Sequence, residues 1–295
     1  MKLFTVGGSG LVGSRIVEIL LNADLIKKEY TIDDLSLTNG VDITDPASLD
    51  VIRKDTQHEV VIHIAAKADV EGCEKDKELG EDGAAFKINV IGTKNVAEAC
   101  KAGKKKMLYI STDYVFDGKK EPPYEYNEED KPDPVNWYAM TKYKGEKVVQ
   151  EAGIPFVIVR IGYPYRADPF ELKNDFVHII MKRLSNNMPL AAVTDHYMTP
   201  TFIDDIAFAI DTIIEKDVQG IYHVVGSQNI TPYDAFMLMA EKFHYDKNLI
   251  GKTTREEFFK GKAPRAFNLS INNVKITQLG VKMRTFEEGL QKVFI

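Results

Sequence analysis

Short apolar runs rich in β-branched and aromatic residues alternate with longer segments of helical period along the first half of the chain, the pattern of repeated strand–helix–strand units with parallel strands. The spacing predicts strands at residues 2–6, 34–38, 59–64, 106–111, 155–161 and 220–225. Helices are expected at about 11–22, 45–55, 81–102, 136–152 and 203–215. Within 81–102, Phe86, Val90, Thr93 and Ala97 recur at three- and four-residue steps, a buried stripe on an otherwise polar helix. From about residue 162 the alternation lapses. Residues 163–200 hold Pro164, Pro169, Pro189 and Pro200 around one amphipathic segment, 174–186, and two or three further helices are expected in 227–295.

The first strand runs into Gly7-Gly8-Ser9-Gly10-Leu11-Val12-Gly13 and then an apolar helix. Glycine serves first for a tight turn, next so that backbone can approach a pyrophosphate, and last so that helix can pack on strand. The helix start then offers unpaired N–H groups and a partial positive charge to the phosphates, which makes Gly7, Gly10, Leu11, Val12 and Gly13 candidate cofactor-binding residues. The fold class that follows is α/β, a doubly wound parallel (Rossmann-type) sheet with a smaller, mostly helical C-terminal substrate domain. Residues 1–162 are expected to form the dinucleotide-binding domain, with 201–225 returning to it, and 163–295 the substrate domain.

Ligands of such sheets bind beyond the carboxyl ends of the strands. There the sequence places the glycine turn, Ala65-Ala66-Lys67, Ser111-Thr112-Asp113 and Gly162-Tyr163. Ala65 and Ala66 are small enough to let a dinucleotide lie against the sheet edge. Two Tyr-x-x-x-Lys pairs occur, Tyr138/Lys142 and Tyr143/Lys147, and at 100° per residue they lie about 140° apart around one helix. Tyr138 falls in the first turn, at the rim of the expected site, so Tyr138 and Lys142 are the catalytic candidates, and Tyr143/Lys147 reads as a surface pair. A tyrosine with an ordinary pKa of about 10 is a reluctant acid. A nearby ammonium would lower that value, so that Tyr138 protonates a ketone oxygen as hydride arrives from a nicotinamide. Thr112, or less readily Ser111, would donate a second hydrogen bond to that oxygen.

Composition narrows the partners. Lys and Arg number 38 against 44 Asp and Glu, a net charge of −6, and no basic stripe forms, so nucleic acid is not an expected partner. Lys104-Lys105-Lys106 and the acidic stretch 121–133 read as solvated surface. Cys73 and Cys100 form no CxxC pattern, the six histidines show no metal-ligand spacing, and no G-x-S-x-G elbow is present. Met1-Lys2 leads directly into a strand, and no apolar run reaches the roughly 18–20 residues of a membrane span. The expectation is a soluble cytoplasmic protein with no catalytic metal and no membrane contact.

With these residues assembled, the chain resembles the extended short-chain dehydrogenase/reductases, and among them the dTDP-4-dehydrorhamnose reductase family. The resemblance rests on Gly7-x-x-Gly10-x-x-Gly13, on Ser111-Thr112-Asp113-Tyr114-Val115-Phe116-Asp117-Gly118, and on Tyr138-Ala139-Met140-Thr141-Lys142 with Gly145-Glu146. It continues in Asn89-Val90-x-Gly92-Thr93-x-Asn95, Val159-Arg160, Asn174-x-Phe176-Val177 and Thr199-Pro200-Thr201-x-x-x-Asp205. It implies reduction of the 4-keto group of a nucleotide-linked 6-deoxyhexulose. Val70, Thr112, Asp113, Tyr114, Tyr138 and Tyr163 would line the sugar pocket, Arg160 would lie near the sugar or its phosphates, and Asn89 would hold the active-site backbone or a water. Asp42 and Ile43 would border the adenine, and Ala65, Ala66, Lys67, Tyr138 and Lys142 would meet the cofactor. Family members often form homodimers, for which no exposed apolar face argues independently.

Three departures bear on the sugar and nucleotide: Tyr163 stands in place of the usual tryptophan, Arg166 in place of a glycine, and Ala263-Pro264 in place of an Arg-Pro pair. The regulatory β subunit of methionine adenosyltransferase shares much of the same pattern, which keeps a cofactor-binding regulatory role as the alternative, beside a nucleotide-sugar epimerase or dehydratase. NADP or NAD fits as cofactor. Leu37-Thr38-Asn39 stands where an acid would hold an NAD ribose and Asp33-Asp34 comes too early, which favours NADPH slightly, with Arg15 a candidate for its 2′-phosphate.

Overall fold

The computed structural model describes residues 1–294. Its centre is a six-stranded, all-parallel sheet of β1 (Lys2–Val6), β2 (Thr31–Leu35), β3 (Val60–His63), β4 (Lys106–Thr112), β5 (Phe156–Ile161) and β6 (Gly220–His223), in the order β2-β1-β3-β4-β5-β6. β3 and β4 are buried along their whole lengths, as expected of strands covered on both faces. One face packs on α1 (Leu11–Leu21) and on a long apolar helix late in the chain, Ile203–Glu215, through Leu3, Ile16, Leu108, Val159 and Ile210. The other packs on Asp50–Lys54 (α2) and Thr93–Ala102 (α3) through Phe4, Leu49, Ile52, Val96 and Tyr109. A third apolar cluster, with Tyr165, Val177, Phe202, Met239 and Phe286, forms the core of the C-terminal part. Among the described residues no helix is long and apolar enough to cross a membrane.

The second strand lies three residues earlier than its apolar pattern suggested, because Asp33 and Asp34 are inside it. The Asp34 carboxylate turns under the glycine loop, where it accepts from the Gly8 N–H at 2.7 Å and the Thr5 hydroxyl at 2.9 Å. The helix expected over 81–102 is interrupted. A short helical turn, Ala84–Phe86, is followed by a π-helical turn, Lys87–Gly92, before α3 begins. The extra residue per turn rotates the buried stripe, so Asn89 rather than Val90 points fully inward. The charge runs are less solvated than expected. The Lys105 ammonium is 1% exposed and donates to Asp55 and to the His58 carbonyl, while Glu125 and Glu128 bond to Asn229 and to the His223 N–H.

The glycine turn has the crowding that its sequence implies. Gly7 adopts φ +88°, and a β-carbon there would lie 2.6 Å from the Ala65 nitrogen. A β-carbon on Gly13 would sit 2.5 Å from the Gly7 carbonyl oxygen. Gly13→Ala should therefore lower stability by about 1–2 kcal/mol despite the better helix propensity of alanine, since overpacking costs roughly 1–3 kcal/mol. Urea denaturation checks the expected loss, and an unchanged midpoint would mean that the turn yields freely.

Candidate active site

β4 ends in Ser111 and Thr112, and the chain then turns through Asp113–Val115, with the Thr112 hydroxyl capping the turn by accepting from the Tyr114 N–H. Opposite stands α4 (Trp137–Glu151), whose Asn136 N-cap accepts from the Ala139 N–H. These two elements bring Thr112, Tyr138 and Lys142 to one strand end. Tyr114 crosses the Tyr138 ring edge-on at 6.0 Å. Lys142 is 2% exposed, donates to the Ile110 carbonyl at 2.8 Å and lies 4.0 Å from the centre of the Tyr109 ring.

Burial dominates the electrostatics. It pushes the Lys142 ammonium down to about 7, with Glu146 opposing the shift. It pushes the Tyr138 phenol above its ordinary value, with Thr112 opposing the shift and Asp113 and Tyr114 adding to it. From the Tyr-x-x-x-Lys spacing alone, Lys142 is expected to lower the Tyr138 pKa. The structure corrects this: Lys142 is fully buried and Tyr138 half-buried, desolvation is the largest influence on each, and it moves the Tyr138 phenol up and the Lys142 ammonium down. Burial likewise raises the Asp113 carboxyl to about 7. Its Oδ1 accepts from the Thr112 hydroxyl at 3.0 Å, while its Oδ2 is buried without a partner.

Asn89 ties the neighbouring strand to this helix. Its Oδ1 accepts from the Lys67 N–H, and its Nδ2 donates to the Lys67 carbonyl and to the Thr141 hydroxyl. Thr141 in turn donates to the Tyr138 carbonyl. The π-helical turn is what lets the amide of Asn89 face inward. Ala65 and Ala66 follow β3, beside Gly7.

The remaining sugar-pocket candidates divide. Tyr163 takes φ +42°, a strained value for a bulky residue, and its hydroxyl lies 2.6 Å from His196 Nε2 and 3.2 Å from the Tyr114 hydroxyl. His196 Nδ1 lies 2.8 Å from the Ala266 carbonyl. A carbonyl can only accept, so Nδ1 carries the proton, Tyr163 donates to Nε2, and Tyr114 donates to Tyr163. Val70 opens the helix Val70–Lys75, next to Glu71. Arg160 was expected beside the sugar or its phosphates, and the structure places it elsewhere. It is 1% exposed, forked onto Glu146 and stacked over Phe116, because a guanidinium inside β5 faces the core.

Around the cofactor candidates, the N-cap Gly10 supplies no capping side chain, so the first-turn N–H groups of Leu11, Val12 and Gly13 stay available. With the glycine cradle and the buried Lys142 ammonium, this donor set fits a dinucleotide. Ile43 is buried in the sheet core, and the Asp42 carboxylate accepts from Thr44. Arg15 is not free for a phosphate: it forks onto Asp204 and reaches Glu18. Arg166 spans to α1 and bonds the Ser14 hydroxyl.

Two residues escaped the sequence reading. His196 passed as an ordinary core histidine because nothing in its spacing marks it. Arg265 directly follows the noted Ala263-Pro264 pair. Its guanidinium donates to Glu71 at 2.8 Å and opposes the burial that raises the Tyr114 pKa, so the C-terminal part brings a cation near that phenol.

The family model described as RmlD substrate binding domain matches residues 1–295, and the chain belongs to that family. Among solved structures it is similar to dTDP-4-dehydrorhamnose reductase of Bacillus anthracis in complex with NADP, with a TM-score of 0.87 and 28% identity over 99% of this chain and 98% of that one. Among curated proteins it is 28% identical to a probable low-salt glycan biosynthesis reductase of Haloferax volcanii, over 98% of this chain and 96% of that protein. It is also 28% identical to the methionine adenosyltransferase 2 subunit beta of Xenopus tropicalis, over 85% of this chain and 74% of that protein.

Asp113 gives a pH test. Its folded value of about 7 lies above the ordinary 3.8, so the native state holds the proton more tightly than the unfolded chain. Stability contributed by this group is therefore full below about pH 4 and is lost as pH rises toward 7. Asp113→Asn should gain stability relative to the parent across that window, read from urea midpoints at pH 4.5 and 7.5. Equal differences at both pH values would place the carboxyl in solvent.

Proposed function

We propose that this protein reduces the 4-keto group of a nucleotide-linked 6-deoxyhexulose, with Tyr138 as proton donor. The coarser reading, an NAD(P)-dependent reductase of nucleotide sugars, follows from family membership and from the match to an NADP-bound reductase. The finer reading is carried by one observation: buried Thr112 and Lys142 and the half-buried Tyr138 gather at the strand end beside an uncapped glycine turn.

When bound, a dihydronicotinamide supplies the hydride. The chain's own groups handle the proton and the charge. The raised pKa of Tyr138 keeps the phenol protonated at neutral pH, which is the form that reduction consumes. Lys142, held by the Ile110 carbonyl, has further N–H groups to offer cofactor ribose hydroxyls. In the free chain the Thr112 proton points to Asp113, so it must turn to serve a substrate oxygen. Protonation of Asp113 near neutrality permits this, because a protonated Asp113 can donate to Thr112 and release the Thr112 hydrogen toward the ketone.

NADPH keeps a slight preference, since the Asp34 carboxylate is spent on Gly8 and Thr5 instead of facing a ribose. Arg15 no longer supports it. The regulatory alternative predicts cofactor binding without consumption.

Tyr138→Phe should lower turnover by about 10²–10⁴-fold while cofactor binding is largely kept. The measurement is loss of reduced cofactor at 340 nm with NADPH or NADH and a panel of 4-keto nucleotide sugars. Turnover undiminished in the variant would remove Tyr138 from the chemistry, and tight cofactor binding by the parent with no consumption across the panel would favour the regulatory role.

A further inference from the structure

We propose that Glu146 is a positioning residue for Lys142: its buried carboxylate, anchored by Ser111 and Arg160, ties α4 to the end of β4 and holds a negative charge one helical turn from the ammonium. The inference rests on the reductase reading above and adds to it a group that touches neither substrate nor cofactor.

Glu146 is wholly buried, one helical turn beyond Lys142 on α4 and on the same face. Its Oε1 accepts from the Ser111 hydroxyl at 2.6 Å and from Arg160 Nε at 2.9 Å, and its Oε2 accepts from Arg160 Nη2 at 2.7 Å. Arg160 leans on Phe116 and approaches His223 Nε2 at 3.4 Å. Every acceptor oxygen is therefore engaged, and the carboxylate is locked in place. Ser111 immediately precedes Thr112, so one carboxylate braces both the catalytic strand end and the catalytic helix.

A buried Arg–Glu fork is weak evidence for stability, because desolvation of the two charges offsets their attraction, and apolar replacements are often neutral or stabilising. Its position supplies another use. The groups facing Lys142 are Tyr109 and the Ile110 carbonyl from β4, His63 from β3, and Tyr138 and Glu146 from its own helix, with Arg160 of β5 beyond Glu146. His63 is held neutral, its pKa pushed down to about 3 by burial and by Lys142 itself. Tyr109 and Tyr138 are neutral because burial raises both. Glu146 is then the negative charge that favours the ammonium against desolvation. Without it the lysine would lose its proton at lower pH and present a neutral amine to the cofactor.

The test uses the full chain and two readouts across pH 5.5–9. NADPH binding is followed by energy transfer from Trp137, the single tryptophan, and turnover by loss of NADPH with a 4-keto nucleotide sugar. In Glu146→Gln the alkaline limb of both profiles should move to lower pH by about one unit. Glu146→Asp, which keeps the charge, should restore most of the shift. Glu146→Gln leaves Arg160 unpaired and can fail to fold, so the double replacement Glu146→Gln with Arg160→Met, free of both charges, is measured beside it and should show the same direction of shift. A folded variant whose limbs coincide with the parent's would overturn the proposal, as would a parent whose NADPH binding has no alkaline limb. A parent that binds NADPH with a limb that Glu146→Gln moves, yet consumes it with no substrate, would retain this inference and remove the reductase reading.

Discussion

The burial of one ammonium organises the site. Lys142 lies under the end of β4 with the Ile110 carbonyl, the Tyr109 ring and the Glu146 carboxylate as its surroundings. Keeping a cation there requires a strand end that aims a carbonyl at it, a helix that carries a carboxylate one turn further on, and a sheet that excludes water from both. Each requirement fixes part of the architecture: β4 must end at Thr112, α4 must start at its Asn136 cap, and Asn89 must tie β3 to α4. The glycine turn of β1 then faces the same edge, because parallel strands present all their carboxyl ends together.

Much of this was legible in the sequence where local chemistry dictates local geometry. The glycine turn, five of the six strands and the long helices after Leu11, Asn136 and Phe202 follow from periodicity and turn residues. The second strand slipped because Asp33 and Asp34 break its apolar pattern while one of them serves the turn from beneath. The π-helical turn at Lys87–Gly92 leaves no mark in a three- and four-residue pattern, yet it decides that Asn89 faces the site.

Contacts distant in sequence were not legible. Arg160 carried a motif that suggested a ligand, but its partner Glu146 comes from another element, and only the fold shows that the pair is closed on itself. Arg265 and His196 reach the pocket wall through segments whose sequences resemble ordinary loops. Desolvation was the largest omission. Spacing along the chain brings Tyr138 and Lys142 within one helical turn, whereas burial determines which way each pKa moves, and that is a property of the packed molecule.

Similar sequences occur in relatives named as reductases and in relatives named as a methionine adenosyltransferase beta subunit. What distinguishes catalysis from binding is the electrostatic state of the few polar groups at the strand ends, not the sheet that carries them. The most direct measurement is therefore the ionisation of Lys142 itself, followed by NMR of side-chain-labelled lysines with the signal assigned through Lys142→Gln. A midpoint near pH 7 in the free protein is the predicted result. A midpoint at the ordinary value of about 10.4 would show a solvated amine and contradict the burial of Lys142 on which the account depends.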